Sequence, residues 1–516
     1  MYKVLYKELL CRLHIMKEEE MMEKLRISEN RRYFVTADGK PFTWIADTDW
    51  TIPQRLKWDD VEYLMKKRKS QGFTVLQIVA LDPERDMEMH SPSGEKALLN
   101  DDPDTPNERY FEYLDWILDK AESYGFYVLL LPVWGQLVVG SDWSGCTYEK
   151  TITEENAYRY GRWIGNRYRE KNHILWCLGG DRQPIHNGVD YKNVWRRLAE
   201  GIAKGVLDQD LKYNQPDDAW KDVLMTYHAC HEMQTGECST MSYWTDEEAW
   251  IDFIMLQSGH GLTPKNYELV EKEYSRKKVM PVWDGEPAYE MMPTSWPITP
   301  ETKMHGSWMT RKRAYWSLFS GAFGYTYGHA SVWCCVSEQE KSPISSQTWY
   351  EALQSEGSEQ IRYLRQFSDS LQIMTARPAR EILPQIQGED VLDLHLQACT
   401  CLDERFACVY FPSGGGAVLN LGNVWNPEAP REFDGEVCLW WYNPRDGKFY
   451  THAGQRAEAA ETAQAAGGEL SVSAPDSGPE HDWVLIASRE QTEAPVKEQT
   501  YYNMDEEKAV KKVFEW

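Results

Sequence analysis

Two stretches of the chain carry an acid to the end of an apolar run. In Trp176-Cys177-Leu178-Gly179-Gly180-Asp181-Arg182 the run stops at two glycines and then presents a carboxylate. In Val279-Met280-Pro281-Val282-Trp283-Asp284-Gly285-Glu286-Pro287 a second apolar run ends in the same way, with Glu286 between a glycine and a proline. Paired carboxyl groups can divide proton transfer and nucleophilic attack between them. Asp181 and Glu286 are read as that catalytic pair. Taken alone, an acid in the position of Asp181 can also cap a helix by accepting from exposed backbone amides. The pair is more specific than either member.

Acids at the ends of separate strands need a scaffold that gathers those ends. The rest of the chain reads as strands alternating with helices. Apolar or β-branched runs at 41–46, 73–80, 126–135, 172–178, 223–228, 251–260, 279–283 and 324–329 are interleaved with helical periodicities beginning near Trp58, Tyr110, Tyr158, Trp195, Tyr267, Arg311 and Trp349. Eight such strands predict a (β/α)8 TIM barrel, whose active site forms at the C-terminal strand ends. The polar stretch 82–109 and the long loop that contains Trp143 are expected on that face. After Pro378 short strand-like runs at 391–394, 406–411, 417–421, 437–442 and 483–486 alternate with turn residues, which predicts a small all-β, sandwich-like domain. The expected organisation is an N-terminal extension at 1–25, a catalytic barrel at 26–375, the all-β domain at 376–490 and a charged tail at 491–516. The Ala-rich stretch 457–468 is read as a loose insertion, and the extension and tail are assigned no chemistry.

Composition narrows the partners. With 516 residues the chain can bury a large core, and its net charge of −25 opposes a nucleic-acid partner. The 23 Trp and 29 Tyr give many flat amphipathic rings, suited to ligands with apolar and hydroxyl faces such as sugars. Most of these rings are expected to be ordinary packing. The 11 cysteines form no disulfide framework, so free thiols in a reducing, cytoplasmic setting are expected. Charges interrupt the apolar runs of residues 1–25, and no long apolar segment predicts a membrane span. His228, Cys230, His231 and Cys238 lack a recognised metal-ligand spacing, so neither metal nor cofactor is expected.

Residues near strand ends are the candidates for substrate binding: Asp47, Asp49, Trp50, Trp134, His228, Gln257, His260, Trp283, Tyr327 and His329. Carboxylates and imidazoles can hold paired hydroxyls, and tryptophans offer stacking faces. The alternative for each is a place in the core or behind the site.

Leu178-Gly179-Gly180-Asp181, Leu256-Gln257-Ser258-Gly259-His260 and Trp283-Asp284-Gly285-Glu286-Pro287-Ala288-Tyr289 together resemble the apiosidase-like glycoside hydrolases, glycoside hydrolase family 140. The strand end Asp47-Thr48-Asp49-Trp50 departs modestly from that pattern at its second acid. Val409-Tyr410-Phe411-Pro412-Ser413-Gly414-Gly415 and Trp441-Tyr442-Asn443-Pro444-Arg445-Asp446-Gly447 resemble the companion β domain named for collagen binding, for which a structural role against the barrel is expected. The resemblance covers roughly residues 26 to 490. It implies cleavage of a furanosidic, apiose-containing plant glycoside or oligosaccharide, with Asp181 as general acid/base and Glu286 as nucleophile. Retention of configuration is expected, which places the carboxyl groups about 5 to 5.5 Å apart, against about 6.5 to 9.5 Å for inversion. An arabinofuranosidase or other furanosidase is the nearest alternative, and a non-catalytic carbohydrate-binding protein is the alternative of another class. Oligomeric state, aglycone and exo or endo action are left open.

Overall fold

The computed structural model describes residues 21–142, 145–232, 234–384 and 392–504. Most of the predicted N-terminal extension, Trp143, Val391 and the end of the predicted tail lie outside the described residues. The barrel strands are β1 (Trp44–Thr48), β2 (Val75–Val79), β3 (Tyr127–Leu131), β4 (Ile174–Leu178), β5 (Met225–Tyr227), β6 (Ile254–Leu256), β7 (Val282–Asp284) and β8 (Gly324–Tyr327). They pair in parallel in the order β6-β7-β8-β1-β2-β3-β4-β5. The helices packed outside are α1 (Trp58–Ser70), α2 (Glu108–Ser123), α3 (Ala157–Arg167), α4 (Lys192–Leu207), α5 (Asn266–Tyr274), α6 (Ser307–Phe319) and α7 (Glu356–Leu371). Between β5 and β6 a single turn, Thr240–Tyr243, stands where a longer helix would complete the repeat.

The seam between β5 and β6 is closed largely by side chains. Thr226 Oγ1 donates to the Phe253 carbonyl at 2.6 Å, and Thr240 Oγ1 donates to Tyr227 O at 2.6 Å while accepting from Met255 N at 3.0 Å. The Asp252 carboxylate accepts from Met225 N at 3.0 Å. Backbone groups that a regular ladder would pair are thereby satisfied without one.

Side chains alternate in and out along each strand. Trp44 and Trp283 meet with ring centroids 5.6 Å apart, and Phe253, Phe323 and Phe34 pack around them as the floor of the barrel. Phe34 comes from a two-stranded hairpin, Arg26–Ile27 with Phe34–Val35, beneath the strands. Above the floor Gln77 on β2 reaches across to the Gly285 carbonyl at 3.2 Å, and Thr326 on β8 donates to Gln77 Oε1 at 3.3 Å. The next layer up is the site.

The second domain is a β-sandwich. Strands β9 (Gln397–Cys401), β10 (Phe406–Phe411), β12 (Gly435–Asn443), β13 (Glu461–Ala465) and β15 (Trp483–Ser488) form an antiparallel sheet, opposed by the ribbon of β11 (Gly414–Asn420) and β14 (Glu469–Ser477). Ala407, Val409, Phe411, Leu439, Trp441 and Leu485 face that ribbon, whereas Cys408, Tyr410, Trp440, Tyr442 and Ile486 join the barrel's core. Residues 461–465, read from sequence as part of a loose insertion, are β13, the strand paired to Gly435–Leu439. Leu392–Leu394, read as a strand, is a short 3-10 turn. Arg311 on α6 forms a buried bidentate pair with Asp482, with contacts of 2.8 and 3.0 Å. Residues after 490 return to the barrel, where Tyr501 lies under Arg365 of α7 and Gln499 O accepts from Gln366 at 2.9 Å.

Candidate active site

After β4 the backbone turns through three consecutive positive φ angles, 95° at Gly179, 51° at Gly180 and 58° at Asp181. A Cβ at Gly179 would stand 2.4 Å from the His228 carbonyl, and one at Gly180 would stand 2.6 Å from Gly135 N. Both positions therefore exclude a side chain, and Asp181 itself carries backbone strain of the kind found at functional sites. The turn is pinned by Gly135 N donating to Gly180 O at 2.9 Å and by Arg182 Nη1 donating to Asp181 O at 2.7 Å.

Glu286 follows β7 on a similarly fixed backbone. Gly285 N and Glu286 N both approach the Leu256 carbonyl, at 2.8 and 3.3 Å, and Gly259 N donates to Glu286 O at 3.1 Å. The two acids face one another: Asp181, His228 and Glu286 each place one polar atom within 4.8 Å of the other two. Both carboxyls are more than nine-tenths buried.

The surroundings of the two acids differ. Asp181 Oδ1 accepts from Gln257 Nε2 at 2.7 Å, and Oδ2 lies 3.3 Å from Arg182 Nη1. Burial first, and then the charge of Glu286, push Asp181 up to about 6, against the opposing pull of Arg182, His228 and Gln257. At Glu286 burial acts upward too, but the imidazoles of His228 and His260 outweigh it and hold the carboxyl below its usual range. His260 Nε2 lies 3.4 Å from Oε1, and its Nδ1 accepts from Tyr289 N at 3.4 Å, which leaves the proton on the nitrogen that faces Glu286. His228 Nε2 lies 3.0 Å from Oε2, outside hydrogen-bond alignment. One acid is poised to keep a proton and the other to stay ionised.

Aromatic rings wall the pair. Trp50 stacks on the His228 ring at 5.6 Å, and Trp134 meets Trp50 at 5.6 Å and His228 at 5.9 Å. Trp134 Nε1 donates to Glu84 Oε1 at 2.9 Å, which fixes its ring from the loop after β2. Trp50, Trp134, His228, Gln257 and His260 are thus brought together around Asp181 and Glu286.

Five other candidates are not. Asp47 and Asp49 project outward from β1 toward α1, where Arg68 Nε contacts Asp47 Oδ2. Burial, and for Asp49 then the neighbouring Asp47 charge, push both carboxyls up. Tyr327 donates to Glu290 Oε2 at 2.6 Å behind the strands. His329 accepts from Ser331 N at 3.0 Å and contacts Ser355 Oγ at 3.2 Å, fully buried. Trp283 belongs to the barrel floor, with Nε1 on Thr326 Oγ1 at 3.1 Å. Asp284, the second acid of the Glu286 motif, is taken up by Ser258 Oγ at 2.7 Å and Asn266 Nδ2 at 3.1 Å.

Three further residues join the site: Tyr289 and Arg182, which were not among the candidates, and Cys230, which was considered only as a metal ligand. Tyr289 fits into the notch left by Gly328, where a Cβ would meet its ring at 2.1 Å, and it packs on His260 at 4.4 Å. Burial and then the Glu286 charge push its phenol well up. Arg182 is the cation beside Asp181, and Cys230 is a buried thiol raised by burial and then by Asp181. Tyr289 and Arg182 lie inside the two acid motifs, so closeness in sequence to each acid was the available signal. An open cleft of about 570 Å³ on the β domain, lined by Asn420, Glu428, Arg431, Glu432 and Glu469 among others, presents no comparable arrangement.

Comparison with known proteins agrees with this chemistry. A family profile described as "Apiosidase-like, catalytic domain" matches residues 28–375, and one described as "Putative collagen-binding domain of a collagenase" matches residues 378–488. No curated protein sequence matches. Among solved structures the chain is similar to one titled a glycoside hydrolase, at 25% identity and a TM-score of 0.72 over 90% of this chain and 97% of the other. It is also similar to a glycoside hydrolase family 5 protein from Bacteroides vulgatus, at 25% identity and a TM-score of 0.74 over 94% and 98% of the two chains. With a TIM barrel, two facing acids at its C-terminal strand ends and a matching family profile over most of its length, this chain belongs to the apiosidase-like family and is a glycoside hydrolase.

Proposed function

We propose that the protein hydrolyses a furanosidic, apiose-containing plant glycoside or oligosaccharide with retention of configuration. The observation that carries the mechanism is the close approach of two acids driven in opposite directions, Asp181 up to about 6 and Glu286 down. A nearest approach within 4.8 Å accords with the short carboxyl separation of a retaining pair.

In the first step Glu286 attacks the anomeric carbon while the protonated Asp181 gives its proton to the departing glycosidic oxygen. The bond to the aglycone breaks and a glycosyl ester forms on Glu286. In the second step Asp181, now ionised, takes a proton from water as that water attacks the same carbon, which frees the sugar and restores both acids. His228 and His260 steady the anionic nucleophile, and Gln257 orients the Asp181 carboxyl. Trp50 and Trp134 offer apolar faces to the furanose ring.

The apiosidase-like family supports apiose as the sugar. An arabinofuranoside is the second reading, since the same acids and rings suit another five-membered ring. A carbohydrate-binding protein without activity has no need of two acids set against each other. The ten described cysteines are free thiols, which supports a reducing, cytoplasmic setting and small imported substrates. Among the described residues no helix is long and apolar enough to cross a membrane. Release of free apiose from a plant apioside is the direct test.

A further inference from the structure

The same atoms suit a second kind of ligand. Glu286 Oε2 and His228 Nε2 stand 3.0 Å apart as an ion pair outside hydrogen-bond alignment, and neither has another partner. Both side chains are more than nine-tenths buried, and an atom of Asp181 joins them within 4.8 Å. An imidazole nitrogen with two carboxylate oxygens is the donor set of a borderline divalent ion. Zinc takes such atoms at about 2.0 to 2.2 Å in a tetrahedral shell, often with three protein ligands and one open position. Ligand atoms in that shell stand roughly 3.3 to 3.5 Å apart. The His228–Glu286 separation already lies near that spacing, and Asp181, held by Gln257 and Arg182, places an oxygen within 4.8 Å of both, so the ion must draw it in against those two contacts. Calcium and magnesium, which ask for six or more oxygen ligands, fit the set poorly. His260 holds the other oxygen of Glu286 and leaves Oε2 to the ion.

We propose that Asp181, His228 and Glu286 form a zinc-type divalent cation site whose occupancy reversibly blocks the enzyme. Bound there, the ion holds the oxygen that attacks the sugar and the carboxyl that delivers the proton, so metal and substrate compete. The inhibition rests on the roles assigned to the two acids; the binding rests on the donor set alone.

The test is calorimetric titration of the chelator-treated full-length chain with zinc, followed in parallel by tryptophan fluorescence because Trp50 stacks on His228. The expected result is one site with a fluorescence change, weakened about tenfold or more in both His228→Gln and Glu286→Gln. Cys230→Ser retains it, which separates this set from the neighbouring thiol. Each variant is checked for a wild-type circular dichroism spectrum. If His228→Gln does not fold, the isosteric Glu286→Gln decides by the same criterion. No binding at millimolar zinc, unchanged affinity in a folded glutamine variant, or loss of the site in Cys230→Ser overturns the proposal. Binding is read without substrate, so a wrong sugar assignment leaves this outcome unaffected.

Discussion

Gln257 Nε2 donates to Asp181 Oδ1 across 2.7 Å, and Gln257 Oε1 itself accepts from His231 N. The end of β6 thereby fixes the orientation of the acid that follows β4. Gln257→Leu removes this bond while keeping the volume. kcat/KM should fall about ten- to a hundredfold through misplacement of the proton donor. The bond favours the ionised carboxylate, so its loss should also move the alkaline limb of the pH–rate profile upward. An unmoved limb contradicts the link.

The pH profile of the wild type follows from the same site. Asp181 must be protonated to act as the acid, so kcat/KM should decline as pH rises through about 6. Glu286 is depressed, which sets the acidic limb well below that point. In Glu286→Gln the nearby negative charge is gone, and Asp181 should titrate lower than in the wild type. Carbon NMR of the Asp181 carboxyl in that inactive variant measures this directly.

Stability carries the opposite mark of the same carboxyl. The folded state raises Asp181, so its favourable contribution belongs to low pH and is lost as pH rises through about 6. Above that pH the ionised side chain costs at most about 3 kcal/mol. Asp181→Asn removes the cost, keeps an oxygen for Gln257 and tolerates the positive φ. Its Tm should exceed that of the wild type at about pH 8, with the gain shrinking toward pH 5. A gain that does not depend on pH contradicts the electrostatic account.

The glycines before Asp181 should be intolerant. Gly180→Ala must push a Cβ against Gly135 N while holding φ at 51°. A loss of about 2 to 4 kcal/mol and of most activity is expected, measured by thermal denaturation and rate. The contact between domains should be equally demanding. Arg311→Ala leaves Asp482 buried with the Tyr410 hydroxyl but without its cation, at a cost of about 3 to 5 kcal/mol, and barrel and sandwich should unfold together in one transition.

Much of this architecture was legible in the sequence because buried parallel strands are near-continuous apolar runs and their helices keep a separate period. The acid motifs were legible because each combines a strand end, a glycine and a carboxylate. What was lost was the side to which each strand-end residue points. Trp44 faces the barrel floor, so counting by two places Thr48 inside and Asp47 outside, against Arg68. The same count sends Tyr327 to Glu290 rather than to the side of Asp181 and Glu286. Residues 461–465 read as part of an insertion because Ala and Glu are weak strand formers, and pairing with Gly435–Leu439 overrides that preference. The seam closed by Thr226 and Thr240 left no signal, since a threonine in a strand ordinarily reports only β propensity.

In the proposed reaction Asp181 and Glu286 act together on a furanosidic bond. The most direct measurement is release of free apiose from a plant apioside by the wild type, Asp181→Asn and Glu286→Gln, each confirmed as folded. Release by the wild type and a loss of at least about a thousandfold in both variants are expected. No apiose release by the wild type, alongside cleavage of an arabinofuranoside, would transfer the same acid pair to the second sugar. Release that survives both substitutions would contradict the assigned pair.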